Sequence, residues 1–142
     1  MADLREVLVV SSDHEVLRNL AGTIGLCGLE SVLSVTVADS RVVLAQYPIC
    51  VVLCDDRLVD GNYRDLVEEV GRTAADVPVV VVSRMGDWGQ YMKAMSAGAF
   101  DYIGFPPRRA EIERVIGNAL HERERRRQLE GGQARQPSTG TG

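Results

Sequence analysis

The chain of 142 residues has no apolar run approaching the roughly 18 residues that a membrane-spanning helix needs. Residues 1–6 also lack the extended apolar core of a signal peptide. With a hydrophobic content of 45%, the chain suits one globular domain, a size at which roughly two-thirds of the unfolded surface becomes buried. These features predict a cytoplasmic protein that makes no contact with a membrane.

Cysteine is scarce, and no metal-ligand spacing surrounds Cys27, Cys50 or Cys54. Cys50 and Cys54 would lie about 13 Å apart along one strand, which is too far for a disulfide. We therefore expect small buried hydrophobic side chains in a reducing compartment, and a fold that needs no disulfide.

The formal net charge of −4 argues against broad affinity for nucleic acid, although the arginines are unevenly spread. Four of them lie near the end of the chain, at positions 123, 125, 126 and 127, interleaved with Glu122 and Glu124. A solvated helix end is the expected structure, and contact with an acidic partner or DNA is the alternative. We divide the chain into a domain at 1–122 and a segment at 123–142, whose Gly, Gln, Pro, Ser and Thr content predicts disorder from residue 131.

Strand-like apolar runs at 7–10, 32–37, 49–54, 78–82 and 99–103 alternate with segments of helical periodicity. This alternation predicts a parallel sheet with helices on both faces. Asp13 is the expected cap of the first helix and Asp39 that of the second. The residues expected to face the core are Val16, Leu17, Leu20, Ile24 and Leu26 in the first helix, Val42, Val43 and Leu44 in the second, Leu66, Val67 and Val70 in the third, Tyr91, Met92 and Met95 in the fourth, and Ile112, Val115, Ile116, Ala119 and Leu120 in the fifth.

One carboxylate closes the third apolar run, because Asp55 follows residues 49–54. It is expected at the carboxyl edge of the sheet, where α/β domains do chemistry. The first strand, however, ends in Ser11 and Ser12, and the fifth ends in Phe105 and a proline. The only lysine of the chain lies in the predicted fourth helix. No acidic pair and no lysine are therefore placed to point at Asp55.

An aspartate ending the third strand, a hydroxyl ending the fourth and an aromatic-plus-proline ending on the fifth resemble the response regulator receiver domain. The resemblance covers about residues 5–121. It rests on three strings, which are Asp55-Asp56-Arg57-Leu58-Val59-Asp60-Gly61, Pro78-Val79-Val80-Val81-Val82-Ser83, and Ala97-Gly98-Ala99-Phe100-Asp101-Tyr102-Ile103 before Phe105-Pro106. It implies an α/β flavodoxin-like fold, a (βα)₅ three-layer sandwich with a parallel five-stranded sheet in the order 2-1-3-4-5.

The same resemblance implies roles for individual residues. Asp55 matches the aspartate that accepts a phosphoryl group from a histidine kinase, while Ser83 and Tyr102 match the two switch residues. The two metal-site acids of the family fall on Ser11 and Ser12, and its lysine falls on Phe105.

Only Asp13, one residue past the family's acidic pair, stays beside Asp55 as a candidate metal ligand. A serine hydroxyl brings no negative charge to Mg²⁺, so we expect weak magnesium binding.

Arginine is the remaining source of positive charge beside the predicted site. Arg57 lies two residues after Asp55, and Arg84 directly follows Ser83. A guanidinium pairs bidentately with carboxylate or phosphate. We hypothesise that Arg84 or Arg57 neutralises Asp55, with Asp56 also lining the site.

These observations favour an atypical receiver domain that is not an enzyme and acts through protein–protein interaction in two-component signalling. The rival within the family is an ordinary phosphoacceptor at Asp55. The rival from another class is a small flavodoxin-like enzyme or nucleotide binder, but no Gly-x-Gly-x-x-Gly or Gly-Lys-Ser/Thr motif follows any strand. The expected partners are a histidine kinase or another signalling protein, or a second copy through the fourth helix, fifth strand and fifth helix. Nucleic acid is not an expected partner of this domain alone, and Trp88 is either a contact anchor or a cover for the sheet end.

Overall fold

The computed structural model describes the backbone of residues 6–139 and the side chains of residues 6–130. Five strands alternate with five helices. In chain order they are β1 (Glu6–Val10), α1 (His14–Leu26), β2 (Glu30–Ser34), α2 (Val37–Gln46), β3 (Ile49–Asp55), α3 (Tyr63–Thr73), β4 (Val79–Ser83), α4 (Trp88–Ala97), β5 (Asp101–Gly104) and α5 (Arg109–Thr139). Between β3 and α3, Arg57–Leu58 pairs antiparallel with Gly61–Asn62.

The five strands form one parallel sheet in the order β2-β1-β3-β4-β5. This is the predicted order. Nearly every residue of β1, β3 and β4 is buried, as expected for strands covered by helices on both faces. Side chains of α1 and α5 pack on one face, and side chains of α2, α3 and α4 pack on the other. The result is the predicted three-layer sandwich, in which the strand ends meet at one edge.

Asp13 caps α1 as predicted, since its Oδ1 accepts a hydrogen bond of 2.9 Å from the Glu15 amide. The predicted cap of α2 is wrong. Thr36 is the cap, and its Oγ1 accepts from the amide of Asp39 at 3.0 Å. The reason is that β2 ends at Ser34, three residues earlier than predicted, so that Val37 already belongs to α2 and is buried there.

The predicted core faces are correct for α5 but not for α4. Ile112, Val115, Ile116 and Ala119 are buried as expected. In α4, Ala94 is the only fully buried residue among those described, and Met92 is exposed. Leu26, at the last position of α1, is 63% exposed, and Val42 in α2 is also exposed. Apolar composition overestimated burial here because helix ends and outward faces also carry apolar side chains.

The arginine-rich part of α5 is paired within the domain. Arg125 and Arg126 form ion pairs with Glu122, while Arg123 and Arg127 lie 3.1 and 4.0 Å from Asp76. The helix continues to Thr139, whereas the sequence predicted disorder from residue 131. The side chains of residues 131–139, and residues 1–5 and 140–142 altogether, lie outside the described part of the chain, so the division at 122 stays a prediction.

The described residues contain neither a membrane-spanning helix nor a disulfide. None of their helices is long and apolar enough to cross a membrane. No disulfide joins Cys27, Cys50 and Cys54 to one another.

Candidate functional site

Asp55 lies at the carboxyl edge of the sheet, where the ends of β1 and β3 bring it against Ser11. The fully buried Ser11 hydroxyl donates to Asp55 Oδ2 at 2.9 Å and accepts from the Asp13 amide at 3.0 Å. Val10 and Cys54 are opposite each other in the parallel register, which places the next residues, Ser11 and Asp55, side by side. A neutral hydroxyl is therefore the hydrogen-bond partner of this carboxylate.

Asp56 has a serine partner of its own. The Ser83 hydroxyl, at the end of β4, donates to Asp56 Oδ2 at 3.0 Å and accepts from the Met85 amide at 3.0 Å. Asp55 is opposite Val82 in the β3–β4 register, so Ser83 is level with the following residue, and its role as a switch residue stays a prediction. Two adjacent carboxylates are thus held by serines from two different strands.

The electrostatic environment raises the pKa of Asp55 above its ordinary value of 3.8. Burial is the main cause, and the neighbouring Asp56 carboxyl adds to it, while the hydrogen bond from Ser11 acts in the opposite direction. Among the described residues, no arginine or lysine forms an ion pair with Asp55. Its charge is therefore stabilised by the Ser11 hydroxyl and the Asp56 backbone amide rather than by an ion pair.

Arg84 is turned away from Asp55, contrary to the hypothesis drawn from the sequence. Its guanidinium lies 2.8 Å from a carboxylate oxygen of Glu15 and 3.4 Å from one of Asp13. The same group lies over the Phe105 ring, 4.6 Å from the ring centre. Arg84 therefore joins the end of β4 to the first turn of α1 and to the end of β5. The pKa of Asp13 is lowered, chiefly by the Glu15 amide and also by Arg84.

Several curated proteins are similar to this chain, and two of them serve as examples. The response regulator protein PilR of Pseudomonas aeruginosa is 28% identical over 119 residues, which are 84% of this chain and 27% of PilR. The photosynthetic apparatus regulatory protein RegA of Rhodovulum sulfidophilum is 30% identical over 100 residues, which are 70% of this chain and 55% of RegA. The chain thus spans about half or less of the length of these relatives.

A solved structure gives the same result for the fold. The CheY-like response regulator receiver domain protein of Methanospirillum hungatei JF-1 superposes with a TM-score of 0.77 at 20% identity, over 87% of this chain and 99% of that one. The chain contains a response regulator receiver domain. No protein-family model matches the sequence.

The donor set of this receiver domain does not fit a magnesium site. Among the described residues, no three acidic, histidine or cysteine side chains converge on one point. The positions of the family's acid pair hold serines, and Asp13 is already engaged by Arg84 and by the α1 amides. Mg²⁺ needs hard, charged oxygen ligands in near-octahedral geometry. Asp55 and Asp56 remain as adjacent carboxylates at this edge, each accepting a hydrogen bond from a serine hydroxyl, and the described residues add no third acid beside them.

The remaining predicted site residues take up separate positions. Ser12 ties two loops together, since its hydroxyl donates to the Val35 carbonyl at 2.8 Å and accepts from the Val59 amide at 3.1 Å. Arg57 is exposed and forms no ion pair in the described part of the chain. Asp55, Ser11, Asp56 and Ser83 are therefore together at the sheet edge, and Arg57 and Ser12 stand beside them.

The second predicted switch residue, Tyr102, is half-buried under α4. Its ring meets the Tyr91 ring edge to face at 6.3 Å, and Tyr91 stacks on Trp88 at 5.3 Å. The Tyr102 hydroxyl is buried and has no hydrogen-bond partner among the described residues. Trp88 itself is 73% exposed, so it does not cover the end of the sheet.

Sequence reasoning missed two acids that organise this edge. Glu15 is the nearer partner of Arg84, and Asp60 accepts hydrogen bonds from the Val37 and Ala38 amides at 2.8 and 3.1 Å. These amide bonds lower the pKa of Asp60, the bond from Val37 most of all. In the sequence, Glu15 lies two residues after Asp13, and Asp60 lies five residues after Asp55. Their proximity to the predicted site was visible, but only the fold shows what they contact.

Proposed function

We propose that this receiver domain works in two-component signalling as an atypical member, in which phosphorylation is slow or absent and Mg²⁺ binds weakly. It acts by binding other proteins rather than by turning over a substrate. One observation supports this most strongly. A buried serine hydroxyl, at 2.9 Å, contacts Asp55 at the position where the family supplies a metal-binding acid.

Three charged side chains that assist phosphoryl transfer in the family are replaced by uncharged ones. Ser11 and Ser12 replace the negative charges that attract Mg²⁺, and Phe105 replaces the cation that neutralises the phosphoryl group. Phosphoryl transfer relies almost entirely on such positioning and charge stabilisation. Asp55 alone therefore supplies an acceptor without the groups that make acceptance fast.

The proposed partners are a histidine kinase or another signalling protein, or a second copy through α4, β5 and α5. The exposed apolar side chains of Met85, Trp88 and Met92 lie at this side of the domain and support a protein contact there. The clustered arginines at positions 123, 125, 126 and 127 of α5 are already paired with Glu122 and Asp76, which favours a protein partner over nucleic acid. A cytoplasmic location belongs to the same proposal.

Intact-mass measurement after incubation with Mg²⁺ and a small-molecule phosphodonor tests the proposal. We expect no adduct, or one that forms far more slowly than in an ordinary receiver domain run beside it. An Asp55→Asn variant is the matched control. Rapid formation of an Asp55-dependent phosphoryl adduct would instead support the ordinary phosphoacceptor.

A further inference from the structure

A polar cavity of about 280 Å³ lies next to the Asp56 carboxylate, between the start of α3 and the first half of α4. Its lining residues are Asp56, Arg57, Asn62, Tyr63, Arg64, Met85, Asp87, Gln90 and Lys93. A shallower groove of about 400 Å³ shares Arg64 and Lys93 with it and continues past Met92, Ser96 and Ala97. The cavity and groove therefore form one continuous recess, with two cations at the junction.

The cations of this recess have no acidic partner among the described residues, whereas most other cations there have one. Nine of the thirteen arginines of residues 6–130 have an acidic partner, namely Arg41, Arg72, Arg84, Arg109, Arg114, Arg123, Arg125, Arg126 and Arg127. Arg57, Arg64 and Lys93 have none there, although Arg64 also lies over the Tyr63 ring at 5.4 Å. Only Arg18 and Arg108 are likewise unpaired among the described cations. The unpaired charges thus concentrate in one recess, and they come from three different elements.

The two acids of the cavity do not cancel these charges. Asp56 accepts a hydrogen bond from Ser83 at 3.0 Å, and Asp87 accepts one from the Gln90 amide at 2.8 Å as the cap of α4. Neither forms an ion pair in the described structure, and three cations face two carboxylates. The recess therefore keeps a positive excess, since it is lined by three cations and two carboxylates.

We propose that this recess binds a small phosphate-bearing anion, with Arg57, Arg64 and Lys93 as its ligands. Guanidinium groups match the oxygens of a phosphate bidentately, and an ammonium adds a point charge. The cavity holds the phosphate, while the groove along α4 has room for the organic part of the molecule. This inference concerns a site other than Asp55 and holds whether or not Asp55 accepts a phosphoryl group.

Titration of the full chain with pyrophosphate and with adenosine monophosphate, at constant ionic strength, tests the proposal. Calorimetry gives the affinity, and fluorescence of Trp88, the only tryptophan of the chain, reports on the neighbouring α4 start. We expect saturable binding that an Arg64→Ala/Lys93→Ala variant weakens at least about tenfold, as loss of charge-assisted hydrogen bonds does. An Arg18→Ala/Arg108→Ala variant removes the same charge elsewhere and should bind normally.

Three results would overturn the proposal. The first is the absence of saturable binding of either probe up to about 10 mM, because a Kd above this concentration is too weak for specific recognition. The second is an equal loss in both double variants, which would show attraction to net charge alone. The third is binding of an acidic peptide, but of neither phosphate probe, with the same dependence on Arg64 and Lys93. Melting curves establish that each variant is folded.

Discussion

The Arg84 guanidinium lies 4.6 Å from the centre of the Phe105 ring, at the position where receiver domains carry a lysine. A cation is thus present near the family's cationic position, but Glu15 and Asp13 hold it on the α1 side. It does not compensate for the lost lysine, because it forms no ion pair with Asp55. Arg84 serves instead to connect three segments of the sheet edge.

Arg84→Ala should lower the melting temperature by a few degrees, because it removes two exposed ion pairs and one cation–ring contact. The pKa of Asp55 should not change, since Arg84 does not contact that carboxylate. Differential scanning calorimetry and carboxyl NMR measure these two quantities. A shift of the Asp55 pKa in this variant would restore the hypothesis that Arg84 neutralises Asp55.

Restoring the family's charges should restore phosphorylation. In a Ser11→Asp/Ser12→Asp/Phe105→Lys variant we expect an Asp55-dependent phosphoryl adduct and Mg²⁺ affinity at least about tenfold above wild type, since carboxylates replace neutral hydroxyls. Intact mass and magnesium titration are the measurements.

The added acids crowd Asp55 in the absence of metal, so this variant should melt lower than wild type and recover when Mg²⁺ is added. The same variant with Asp55→Asn is the control for the site of modification. A stable, Mg²⁺-binding variant that takes up no phosphoryl group would show that the charges are not what this receiver domain lacks.

Glu69 is a buried acid that contributes to stability through two arginines. Burial alone would raise its pKa, but hydrogen bonds from Arg41 and Arg72 outweigh burial and lower it. Its contribution is therefore complete above its ordinary pKa of 4.5 and is lost as the pH falls through the lowered value. Glu69→Gln should cost about 1 kcal/mol at pH 7, and this difference should shrink in acid.

Urea unfolding at several pH values measures the effect of Glu69. Glu68→Gln, which changes an exposed neighbour of the same charge, should leave stability nearly unchanged. An equal loss in both variants would assign the effect to net charge.

Asp55→Asn should increase stability, whereas Glu69→Gln should decrease it. Because the folded-state pKa of Asp55 is raised, the folded protein holds this proton more tightly, and stability falls as pH rises from 3.8 through the raised value. The variant should therefore gain roughly 0.5 kcal/mol at pH 7, a modest amount because the side chain is only half-buried, and gain nothing in acid. Asp39→Asn on the exposed face of α2 is the control, and destabilisation by Asp55→Asn at pH 7 would contradict this account.

The sheet and its site edge could be predicted from the sequence because long apolar runs and helical spacing are strong signals. Ends of parallel strands meet at one edge, so Ser11, Asp55 and Ser83 had to lie near one another. Which serine bonds which aspartate was not predictable, because it depends on a one-residue register between β3 and β4.

Long-range partners of flexible side chains were the other limit. Several acids are possible partners of Arg84, and the two that it contacts, Asp13 and Glu15, lie about seventy residues earlier in the chain. Met92 illustrates the same limit for packing, since an apolar side chain on a helix at the sheet edge need not face inward.

The central claim is that no cation contacts the Asp55 carboxylate. Its most direct test is the pKa of this carboxyl group, measured by carbon-detected NMR with and without Mg²⁺. We expect a pKa above 3.8 that Mg²⁺ leaves unchanged. A pKa below 3.8, or one that falls when Mg²⁺ is added, would contradict the claim that no cation interacts with Asp55.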